Sequence, residues 1–125
     1  MLSLDRARAI VGLGEHDQAA TPAAVAWVQA TAGDALAAGE HVTIDATGAE
    51  PLDRATWLQL AREHQASPAA VVFRVPLVAA QTRNRQRQRQ VPDDVIMRMW
   101  KGINRTTSRD LLDEGFTAVV ELATC

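Results

Sequence analysis

Cysteine, tyrosine and lysine are all but missing from this sequence: Cys125 is the single cysteine, Lys101 the single lysine, and tyrosine does not occur. One cysteine excludes an intramolecular disulfide and a paired-cysteine redox motif, and it fits a reducing compartment. At the last position it reads as a tail thiol. Without tyrosine, and with abundant alanine, the core is expected to be built from Ala, Val, Leu and Ile, with Trp27, Trp57 and Trp100 supplying the large volumes. An excess of positive charge is lacking too. Thirteen Lys and Arg against 15 Asp and Glu leave a formal charge of −2, so a cationic nucleic-acid coat protein is excluded and any polyanion site must come from local clustering. The N-terminal "MLSLDRAR" has no apolar leader core and no window approaches transmembrane length, so no membrane partner is expected and the cytoplasm is the expected location. His16, His41 and His64 are scattered without metal-ligand spacing, and no G-x-S-x-G nucleophile motif occurs.

What is present is one globular domain, spanning 1–125, with 47% hydrophobic residues. "SLDRARAIVG" predicts a short helix capped by Ser3 or Asp5 and stopped at Gly12 or Gly14. "TPAAVAWVQATAGDALAAG" predicts a long helix, with Thr21 as cap, Pro22 in the first turn and Gly39 at the end. "HVTIDAT" reads as a buried strand. "PLDRATWLQLAREHQ" reads as a helix with Leu52, Trp57, Leu58 and Leu60–Ala61 at helical spacing. "AAVVFRV" is a second apolar strand, and "PLVAAQTRNRQRQR" a helix that turns wholly polar. "VPDDVIMRMWKGIN" and "SRDLLDEG" are further helices, and "FTAVVEL" is a last strand. Apolar β-branched strands alternating with helices indicate an α/β fold with a mainly parallel sheet.

Three constellations could carry chemistry. Open α/β sheets place ligands at the carboxyl ends of their strands, which singles out Asp45 in "VTIDATG". A carboxylate there can hold Mg²⁺ or orient a nucleophile, and it reads equally well as a cap on the following turn. Asp5 and Arg8 in "SLDRAR" are spaced for a general base beside a phosphate-binding guanidinium; considered alone, they read as a helix cap with a surface arginine. In "RNRQRQRQ", Arg83 and Arg87 lie four apart and share a helix face, whereas Arg85 and Arg89 share nearly the opposite one. Two forked guanidiniums one turn apart suit neighbouring phosphoryl groups, although an isolated charge run is usually a solvated face.

Taken in order, "LSLDRARAIVGLGEHDQAATPAAVAWV", "HVTIDATGAEPLDRATWLQLAREH", "VVFRVPLVAAQTRNRQRQRQVPDDVI" and "LLDEGFTAVVEL" resemble the P-loop kinase family (AAA-type and zeta-toxin-like), especially the kinase module of bacterial polynucleotide kinase-phosphatases. The resemblance covers essentially the whole chain and implies a three-layer P-loop-kinase-like fold. It implies that Asp5 is the general base for an acceptor hydroxyl and that Arg8 contacts the acceptor's phosphate. Asp45 falls on the Walker-B-like strand end that supports Mg²⁺, and Arg83 and Arg87 on the lid that clamps the phosphates of ATP. The implied partner is a polynucleotide 5′ end or another phosphorylated acceptor. Where the family usually continues D-A-T-N, this chain has Gly48.

The family also places a strand, a G-x-x-x-x-G-K-[ST] loop and a helix before the S-x-D-x-x-R element, and no such loop occurs in this sequence. That segment supplies the backbone cradle, the phosphate-neutralising lysine and the Mg²⁺-binding hydroxyl, which together provide most of the catalysis. Its strand belongs between those near residues 41–45 and 70–75. Without it these two either pair directly or leave unpaired edges, an incomplete version of the fold. Three explanations are open: the loop lies upstream of Met1; the chain is a degenerate relative that binds without turnover; or a partner chain, including a second copy, completes the sheet. The expected function is a phosphotransferase domain of polynucleotide 5′-hydroxyl kinase type with little or no activity as this chain. The alternatives are a non-catalytic nucleotide- or nucleic-acid-binding module using the Arg-rich lid, and a marginally stable gene fragment.

Overall fold

The computed structural model describes residues 1–11, 21–86 and 91–123. In chain order the elements are β1 (Leu2–Ser3), α1 (Leu4–Val11), α2 (Thr21–Ala37), β2 (Ile44–Asp45), α3 (Pro51–Glu63), β3 (Ala69–Arg74), α4 (Leu77–Arg85), α5 (Asp93–Arg105), α6 (Ser108–Glu114) and β4 (Ala118–Ala123). Six helices and short parallel strands among the described residues fit a P-loop-like α/β fold. The strands form two parallel ladders of two, β1 with β2 and β3 with β4. The chain divides into two compact units, Met1–Thr47 with Arg62–Ala66, and Gly48–Ala61 with Ser67–Cys125.

In the first unit α1 packs on α2. Ala7 of α1 and Ala24, Val28 and Ala32 of α2 are completely buried. The α2 residues recur at every fourth position, so one stripe of small side chains faces inward and lets helices approach closely. Ser3 accepts a hydrogen bond from the Arg6 amide and so caps α1, as expected. The proposed stops at Gly12 and Gly14 lie outside the described residues. Thr21 does not cap α2. The helix already includes it, and its hydroxyl is buried with no hydrogen-bond partner among the described residues. The strand expected over "HVTIDAT" shrinks to Ile44–Asp45, with Ile44 half-buried and Asp45 exposed rather than buried. Its partner has only two residues to offer, because α1 begins at Leu4.

The second unit is built on α3 through β4. Leu58, Leu60, Ala61, Ala49 and Leu111 are its buried apolar residues. The expected inward face of α3 is corrected at two positions: Leu52 is exposed and Arg54 is buried. A guanidinium can be buried only with its N–H groups satisfied, and three acceptors do this. Arg54 Nε and Nη2 donate to the two carboxylate oxygens of Glu114 at 2.8 and 2.7 Å, and Nη1 donates to the Gly48 carbonyl at 2.7 Å. Strands β3 and β4 pair over six residues, from Ala69 with Ala118 to Arg74 with Ala123. Arg74 joins this ladder to the end of α5. Its guanidinium donates to the Ile103 and Thr106 carbonyls at 2.6 Å each and to Glu121 at 2.7 Å, placing a cation at the negative end of the helix. The opposite face of the ladder carries Val71, Phe73, Val120 and Leu122, which are 56, 58, 52 and 45% exposed. The expected burial of an apolar parallel sheet thus fails on this face, and the other is half-buried at Ala70, Val72, Arg74 and Val119.

Candidate functional site

The carboxyl ends of β1 and β2 bring three of the sequence-predicted residues onto one unit. Parallel register sets Ser3 beside Asp45, so Asp45 stands at the strand end as expected, with its side chain exposed. Two residues after Ser3 the chain has turned into α1, and Asp5 lies in the first helical turn. Arg8, one turn on, donates from Nη2 to Asp5 Oδ1. The arginine side chain is 11% exposed and the carboxylate 47%, so the guanidinium lies inside and Asp5 presents itself to solvent. The pairing expected from the D-x-x-R spacing is therefore formed, within a helix whose cap is Ser3 rather than Asp5.

Arg83 belongs to the second unit, in the last turn of α4, where it is exposed. Arg87, its expected companion, lies outside the described residues, as does Arg89. Arg85 forms a surface ion pair with Asp93 at 3.1 Å, so the face opposite Arg83 is tied to the start of α5.

Asn84, between these arginines, was not singled out by sequence reasoning. It is buried, and its amide makes both available backbone bonds to Val91: Nδ2 donates to the Val91 carbonyl at 2.6 Å and Oδ1 accepts from the Val91 amide at 2.9 Å. This two-point clasp holds residue 91 against the end of α4. A signal for it was present in "RNRQRQRQ", where Asn84 is the one short amide among glutamines. Gly48, the departure from D-A-T-N, has φ +57°, in the left-handed region that Gly and Asn tolerate best.

The strand-end position of Asp45 is the one at which a carboxylate would support Mg²⁺ beside a nucleotide. A phosphoryl-transfer Mg²⁺ takes one or two carboxylates together with substrate phosphates. Asp45 offers one, and no group of three His, Cys, Asp or Glu among the described residues could hold a metal ion. The sequence contains no Gly-rich loop to seat the phosphates that would complete the coordination. No helix of the described residues is long and apolar enough to cross a membrane.

Comparison with curated proteins returns no match. A family model described as AAA domain matches residues 1–107, which takes in the strand-end residues, α3, the Arg-rich segment and α5. Domains of this P-loop type generally bind nucleotide with Mg²⁺. With a match over most of its length, and with the strand-end Asp, the D-x-x-R pair and the parallel ladders in place, the chain belongs to the AAA domain family.

Proposed function

We propose that the chain carries the acceptor half of a kinase-like phosphotransferase of polynucleotide 5′-hydroxyl kinase type. The observation that carries this reading is the Asp5–Arg8 pair at the carboxyl end of β1, beside Asp45. A carboxylate oriented by a guanidinium can accept the proton of a 5′-hydroxyl, while the same guanidinium attracts the neighbouring phosphate of the strand. Arg83 and Arg87 are the lid pair in this reading. The donor half is not built by the residues present, so transfer from ATP by this chain is expected to be slight or absent, and recognition of the acceptor end is the property to measure.

The test compares a linear 5′-hydroxyl oligonucleotide with a circular one of the same sequence, by fluorescence anisotropy without ATP. The linear strand is expected to bind about tenfold tighter, as one charge-assisted hydrogen bond from its 5′-hydroxyl to Asp5 predicts. Asp5→Ala should erase that preference, whereas Arg8→Ala, which removes a phosphate contact open to both strands, should weaken both. Equal affinity of the wild-type chain for the two strands would sink the acceptor-end reading. Label transfer from [γ-³²P]ATP at ordinary kinase rates of about 1–100 s⁻¹ would overturn the expectation of inactivity.

A further inference from the structure

Helix α5 carries a charged stripe that the acceptor reading does not use. Asp94, Arg98, Lys101 and Arg105 stand at i, i+4, i+7 and i+11, which places all four on one face. With Met97 and Glu50 they line an open groove of about 270 Å³ within the second unit. Arg105 is committed: its Nη2 donates to both carboxylate oxygens of Glu50, at 3.0 and 3.2 Å. Arg98 and Lys101 are exposed and make no hydrogen bond or ion pair with any described residue. Glu50 being neutralised by Arg105, the groove holds two uncommitted cations against one carboxylate, Asp94, in a chain whose overall charge is −2. Its lysine is the only one in the sequence.

The arrangement suits an extended anion rather than a compact one. From Arg98 to Arg105 the cations are strung along the axis over roughly 10 Å at 1.5 Å per residue. Met97, 37% exposed, adds an apolar surface beside them on which a base can lie. The Arg85–Asp93 pair and the Asn84 clasp on Val91 hold the start of α5 to the end of α4.

We infer that the groove on α5 is a binding track for the phosphodiester backbone of single-stranded nucleic acid, with Arg98 and Lys101 each contacting a phosphate. The track is independent of strand ends. It rests on the acceptor reading only for its place in a reaction.

The experiment therefore uses a strand without ends. Binding of a circular fluorescent oligonucleotide is measured at several salt concentrations for the intact chain, Arg98→Ala/Lys101→Ala, and Arg109→Ala as a control that removes an exposed arginine from α6. Each lost phosphate contact lowers the magnitude of the log K against log [salt] slope by about 0.7, so the double variant is expected to lose about 1.4 and the control nothing. Circular dichroism establishes that the variants are folded. An unchanged slope in the double variant overturns the proposal, and so does failure of the wild-type chain to bind the circle. Inorganic tripolyphosphate displacing the strand at equal phosphate concentration would point to a small-anion site and overturn it as well. Loss of the linear-over-circular preference with the slope change intact would sink the acceptor-end reading and leave the track standing.

Discussion

Arg54 shows how much one side chain decides in a small core. Its pKa is raised, first by the hydrogen bond to Glu114, against the opposing cost of burial. It stays charged inside the second unit because Glu114 and the Gly48 carbonyl take its N–H groups. Arg54→Ala leaves the Glu114 carboxylate, a quarter exposed, and the Gly48 carbonyl without their donor. It is expected to cost about 2–3 kcal/mol in urea unfolding, below the full range for a buried pair because Glu114 keeps some water. Glu114→Gln, which retains one neutral acceptor, should cost less. If Arg54→Ala unfolded at the wild-type urea midpoint, the pair would contribute nothing and the burial of Arg54 would have to be explained by packing of its stem. No local pattern announces this pair: Glu114 lies 60 positions away, and by helical spacing Leu52 in the same helix is the better core residue.

At the scale of elements, the helices and the parallel strands were legible, and the length and exposure of the ladders were not. Thr107 and Asp110 make a reciprocal capping box at the start of α6, and Gly115 ends it. Pro92 followed by two aspartates announces α5 in the same way. Such signals are local, so a single sequence carries them. The length of β2 depends instead on how soon the chain after β1 turns into a helix, and the exposure of one face of β3 and β4 depends on what lies over it; neither is written in the strand itself. The site was legible in the same uneven way. D-x-x-R is an intrahelical spacing and could be read, whereas the Asn84 clasp and the placement of Glu50 beside Arg105 depend on tertiary contacts. Gly102 is a further case. A Cβ there would stand 2.8 Å from the Ala49 carbonyl oxygen and 3.1 Å from the Ala49 Cβ, so α5 approaches residues 49–50 as closely as it does only because the side chain is missing. Intrinsic propensity favours Gly102→Ala by about 1 kcal/mol in a helix interior. Overpacking against backbone costs about 1–3 kcal/mol, so the variant is expected to be net destabilised by up to about 2 kcal/mol. A thermal midpoint above wild type for Gly102→Ala would show that the helix and the 49–50 segment separate freely, contrary to the packing described.

For the molecule as a whole, the family match ends at residue 107, yet β4 pairs with β3 in unbroken parallel register. The joints that hold this last part in the second unit are carboxylates, so acid is the reagent that tests them. The Asp110 carboxyl lies below its usual value because the Thr107 backbone amide, and then the Thr107 hydroxyl, donate to it. Glu121 lies below its usual value through Arg74 first and Ser108 second. In both cases the unfolded chain binds the proton more readily than the folded one. Stability is therefore fully present above the ordinary carboxylate values of 3.8 and 4.5, and is lost as pH falls through the lower folded values. The 13 Lys and Arg lose their counter-charges over the same range, and their mutual repulsion adds to the effect. The urea midpoint is thus expected to be level from about pH 7 to pH 5.5 and to fall below about pH 4.5. Glu121→Gln should lower the level part and flatten the fall, because it removes one group whose protonation is linked to folding. At a pH where Glu121 is protonated in both states, the variant and the wild-type chain should approach the same midpoint. A gap between them as wide at pH 3 as at pH 7 would mean that the Arg74–Glu121 joint contributes through shape rather than charge.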